Sequence, residues 1–69
     1  MAYTITQIND QTEEDILFTT FILNDSDNIM PEIRLEKQFK VNSNLEQIIE
    51  NEKQMNILFY TNEFLKQTL

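Results

Sequence analysis

Apolar residues recur along this chain first with a period of two and then, past residue 41, with the spacing of a helix. Tyr3 to Ile8 reads as a strand rich in β-branched residues. Residues 9–12, NDQT, read as a turn, because Asn and Asp tolerate a left-handed backbone and bond their own main chain. Residues 13–23 read as a second strand whose apolar part begins at Ile16, and residues 24–31, NDSDNIMP, as a loop closed by the only Pro. Residues 32–41, EIRLEKQFKV, read as a third strand. The chain has no Gly, so Asn9, Asn24, Asp25 or Asn28 is expected wherever a turn needs a positive φ.

Past Val41 the pattern changes. Ser43 and Glu46 match a capping box, followed by apolar residues at Leu45, Ile48 and Ile49. A continuous helix from 44 to about 67 presents the row Leu45, Ile48, Met55, Phe59, with a fault at Glu52. Alternatively the helix stops near Lys53, Ile57 to Thr61 forms a short fourth strand, and NEFLKQTL closes the chain as a second helix. No Gly or Pro punctuates the junction, which favours one helix. The expected architecture is a single α+β domain over residues 1–69, an antiparallel three-stranded meander with a C-terminal helix on one face.

Two departures from simple alternation carry the functional hints. The second strand is apolar on both sides: Ile16, Phe18, Thr20 and Ile22 alternate with Leu17, Thr19, Phe21 and Leu23. One helix covers one face, so either Phe18 or Phe21 is expected under the helix and the other against the C-terminal segment folded around, a second copy or a different protein. In the third strand Lys37 stands among Ile33, Leu35, Phe39 and Val41, where an apolar residue belongs. An inward lysine blunts an edge strand, its stem lying on apolar surface while its head reaches water or Glu52, the fault in the helix row.

Charge sharpens the picture. The 69 residues carry a net charge of −7, and residues 1–31 hold six acids with no Lys or Arg. Such a field repels nucleic-acid phosphates and anionic membranes and attracts a basic protein surface. Glu13, Glu14 and Asp15 form the densest cluster, with Asp10 and Glu46 as its expected support. The same three charges also fit a plainer role, as gatekeepers beside the sticky run ILFTTFIL. The start MAYTITQIND lacks the features of a secretory signal, and the longest apolar run falls far short of a bilayer span, so a cytoplasmic protein is expected.

Candidate chemistry is sparse. With no His and no Cys, thiolate and imidazole metal sites, and the commonest general base, are missing. Glycine-rich phosphate loops are impossible without Gly. Asp25-Ser26-Asp27-Asn28 resembles the start of a calcium loop, but Ile29 and Met30 stand at its fifth and sixth positions where a ligand and Gly belong, Glu36 at the twelfth falls on the expected third strand, and a solvated loop is the simpler reading. Catalytic residues, metal and cofactors are therefore all expected to be none. In size, acidity and lack of catalytic residues the chain resembles the small accessory proteins of phages and mobile elements. That resemblance implies an inhibitor occupying a partner's basic, nucleic-acid-binding surface, contacted through Asp10, Glu13, Glu14, Asp15 and Glu46 with Phe18 and Phe21. The alternative is an assembly subunit of a particle or homo-oligomer, built through the second face of strand two.

Overall fold

The computed structural model describes residues 3–67, Gln67 by its backbone alone. β1 (Thr4–Glu13), β2 (Ile16–Asn24) and β3 (Ile33–Lys40) form an antiparallel sheet in the order β1-β2-β3, and α1 (Leu45–Gln67) packs across one face. This is the expected α+β meander. Residues 57–61 are helical, so the alternative fourth strand is not formed. Thr68 and Leu69, the end of the alternative terminal helix, lie outside the described residues.

The first hairpin is longer than the sequence predicts. NDQT is not a turn: β1 runs on to Glu13, and the turn is Glu14–Asp15. Asn9 does take the left-handed backbone expected of it (φ 59°), but spends it on a β-bulge, so that Asn9 and Asp10 stand opposite Thr19. Asn28 takes φ 57° in the second loop. Glu14 at φ 56° is the unexpected one, a turn made without either Gly or Asn.

The sheet's inner face carries Leu17, Thr19, Phe21 and Leu23 from β2, all buried. Phe39 of β3 lies 5.9 Å from Phe21, centroid to centroid, and Ile49 closes the core from the helix. At 1.5 Å per residue a helix of this length spans about 34 Å, close to the roughly 30 Å of β2. It therefore covers the sheet end to end, and Tyr60 and Phe64 still pack on the core.

The helix does not turn the expected row inward. Leu45, Ile49, Tyr60 and Phe64 meet the sheet, while Ile48, Met55 and Phe59 face solvent. The cap also differs from the expected box. The helix begins at Leu45, and the Asn42 side chain accepts the backbone N–H of Asn44 at 2.8 Å in place of a Ser43–Glu46 exchange.

Lys37 behaves as its position predicts. β3 is an edge strand, and Lys37 sits beside Thr19 with its Nζ 3.0 Å from Glu52 Oε1. Asn56, buried, donates from Nδ2 to the same oxygen at 3.0 Å and to the Glu52 carbonyl. The Lys37 ammonium, then Asn56, hold the Glu52 carboxyl below its usual range against the opposing effect of burial. A double-mutant cycle with Lys37→Met and Glu52→Gln should return a coupling of about 1 kcal/mol, since both side chains are partly solvated. Additive effects in urea melts would show that the pair is incidental.

Candidate functional site

Glu13, Glu14 and Asp15 occupy the tip of the first hairpin, exposed, with Glu14 and Asp15 making the turn itself. Gatekeeping of β2 and presentation to a partner are both compatible with that place. The Asp15 carbonyl accepts the Val41 N–H at 2.7 Å, which ties the tip to the segment leading into α1. Glu46, exposed in the first helical turn, therefore lies at the same end of the domain. Ser43, Asn44, Glu46, Gln47 and Glu50 line a shallow polar depression there. Among the described residues none of Glu13, Glu14, Asp15 or Glu46 makes an ion pair.

Asp10 belongs elsewhere. The bulge turns its carboxylate to the helix side, where the Thr19 hydroxyl donates to Oδ1 at 2.5 Å and Gln7 Nε2 to both oxygens at 3.0 Å. The Thr19 bond, then Gln7, and more weakly the charge of Lys53, hold the carboxyl below its ordinary value. With Thr19, Lys37, Glu52 and Asn56, Asp10 completes a polar layer running across the middle of the sheet–helix interface. Its hydrogen bonds go to this layer and not to the hairpin tip.

Asp25 and Asp27 stand at the far end of β2 from the hairpin tip. Asp25 is buried and accepts the backbone N–H groups of Asp27, Ile29 and Met30, each at 3.1 Å. Both carboxylate oxygens are spent on the loop. Among the described residues no group of His, Cys, Asp or Glu is arranged to hold a metal ion.

The two phenylalanines separate as the alternation requires. Phe21 is 0% exposed beneath the helix and is core, so it is not a surface contact. Phe18, on the open face, is 36% exposed. The chain itself shades that face. Register places Phe18 between Gln11 and Gln38, Ile22 between Thr6 and Arg34, and Ile16 between Glu13 and Lys40, whose long stems flank the apolar row.

The apolar surface that most needs cover lies instead on the outside of α1. Met55 is 66% and Leu58 64% exposed, with Phe59 and Ile48 beside them on the solvent side. Phe59 meets Tyr60 edge-on, 4.9 Å between centroids, and lines a groove with Tyr3, Pro31 and Ile33 at the edge of this face. The signal for this face was in the sequence, as two apolar helical rows where a one-sided helix has one. Among the described residues no helix is long and apolar enough to cross a membrane. No protein-family model, no curated protein and no solved structure matches this chain, so its own residues carry the functional reading.

Proposed function

We propose that this chain is a non-enzymatic protein-binding module whose main contact surface is the outer face of α1. The observation that carries the reading is the exposed row Ile48, Met55 and Leu58, turned away from the sheet, with Phe59 at its edge beside the groove it lines with Tyr3, Pro31 and Ile33. A helix apolar on both sides needs cover on both. This favours an assembly role, with the contact on the helix and not on the second face of strand two.

The acidic hairpin tip supports a second reading, an inhibitor that offers Glu13, Glu14, Asp15 and Glu46 to a basic surface where phosphates would sit. Their exposure and freedom from ion pairs favour it. Salt separates the two, because contacts between exposed charges weaken with ionic strength and apolar ones do not.

The immobilised chain, challenged with lysate of its native host, tests both. A protein retained by the wild type should be lost by the Met55→Asp/Leu58→Asp variant. It should be kept by Glu13→Gln/Glu14→Gln/Asp15→Gln, with less sensitivity to salt. The opposite pattern moves the contact to the hairpin tip. If the wild type neither captures a protein nor self-associates, the binding-module reading fails.

A further inference from the structure

We infer that the occupant of the outer helix face is a second copy of this chain, docked antiparallel through α1. The inference rests on the proposed binding role and names its partner. Along the solvent side, Ile48, Asn51, Met55, Leu58, Asn62 and Leu65 fall at alternating steps of three and four, the seam of a coiled coil, over about two and a half heptads. All six are exposed, whereas Ile49 and Asn56, one step round the helix, are buried against the sheet. The helix thus carries its heptad seam on the side turned away from the sheet, where Asn51 also accepts from Gln47 Nε2 at 3.0 Å. A seam facing the sheet would be core; this one faces out.

The seam is self-complementary in one antiparallel register. Ile48 meets the partner's Leu65, Asn51 meets the partner's Asn62, and Met55 meets the partner's Leu58; a two-fold axis then repeats each layer. Apolar residues pair with apolar ones, and amide pairs with amide. Sliding the helices by one heptad either way sets an Asn against Leu58 or Met55 and leaves an amide facing hydrocarbon. Buried Asn pairs at seam positions fix register and partner number in coiled coils. Phe59 flanks the two central layers and widens the contact.

Charge selects the same answer. The chain carries −7, yet no seam position is charged. A parallel pair would match the same layers, but it would set Glu13, Glu14, Asp15, Glu46 and Glu50 of both copies side by side and align the two helix dipoles. The antiparallel pair keeps those acidic ends a helix length apart. The assembly is a sheet–helix–helix–sheet sandwich with the acidic tips at opposite ends.

Sedimentation of the purified chain from about 1 µM to about 1 mM should show a reversible monomer–dimer equilibrium. Met55→Asp/Leu58→Asp should keep the circular dichroism of the folded chain and weaken the dimer roughly 100-fold or more. The chain has no Cys, so orientation can be read with single cysteines. An oxidised mixture of Ile48→Cys and Leu65→Cys chains should give the mixed 48–65 disulfide. Disulfides only between identical chains would overturn the antiparallel register. A wild type monomeric throughout would overturn the second copy as occupant, and capture of a different protein through the same face would still leave the binding-module reading standing.

Discussion

Phe21→Ala is expected to leave the domain largely unfolded, while Phe18→Ala leaves it folded. Phe21 is fully buried, with Phe39 on one side and the Lys53 ammonium 6.0 Å from its ring centroid on the other. Truncating such a ring costs about 3–5 kcal/mol in lost transfer energy and residual cavity. At roughly 0.05–0.15 kcal/mol per residue, a chain of this length holds about 3–10 kcal/mol in all. One substitution therefore removes from about a third to all of that stability. Phe18 lies on the open face between Gln11 and Gln38, already one-third exposed, and its loss should lower the Tm by only a few degrees. Thermal melts followed by circular dichroism decide between them. If Phe18→Ala also unfolds the chain, the open face is core in solution. If it stays folded but abolishes self-association, the sheet and not the helix is the interface.

That contrast also marks where the sequence spoke clearly. Alternation in β2 requires Phe18 and Phe21 to part, and they do, but it is blind to which face the helix takes. The same limit governs α1. Its length and continuity follow from the absence of Gly and Pro between Leu45 and Gln67, yet two apolar rows run along it, and the expected row, Leu45-Ile48-Met55-Phe59, mixes residues from both. Periodicity measures spacing and carries no sign. What would have decided between the rows is the polar content opposite: Thr19 and Lys37 put a polar layer in the sheet, and only the row holding Glu52 and Asn56 answers it. The Lys37–Glu52 pair was legible because each residue breaks an apolar pattern and the two breaks compensate. The hairpin was not, because Asn9 suits a bulge as well as a turn, and nothing about Glu14 announces a positive φ. As a result Asp10 and the Glu13–Asp15 cluster, separated in sequence only by Gln11 and Thr12, end up serving different parts of the molecule.

Asp25→Ala is expected to open the loop between β2 and β3 and to lower the Tm by roughly 10 °C or more. The Asp25 carboxylate holds three backbone N–H groups, and the Asn28 N–H closes on its carbonyl at 2.9 Å. Alanine keeps only the last of these. Met30, buried beside Tyr3, would lose the turn that delivers it to the core, and the Tyr3 hydroxyl bond to the Pro31 carbonyl, at 2.6 Å, would go with it. Asp25→Asn should fall between, since an amide oxygen can serve one side of the loop while its NH2 confronts donors on the other. The N–H groups of Asp27 and Met30 hold the Asp25 carboxyl below its usual 3.8. A depressed carboxyl contributes stability that is fully present above its unfolded value and is lost as pH falls through the folded one. Asp10 and Glu52 act in the same direction, so unfolding should steepen below about pH 4. Tyr3 runs the other way: burial, then the nearby Asp25 charge, raises it above 10.0, so its contribution holds below that value and is lost as pH rises through the folded one. Urea melts across pH should thus show a plateau with a limb at each end, and Asp25→Asn should be less stable at neutral pH with a shallower acid limb. An acid limb as steep in Asp25→Asn as in the wild type would mean that this carboxylate is not what anchors the loop.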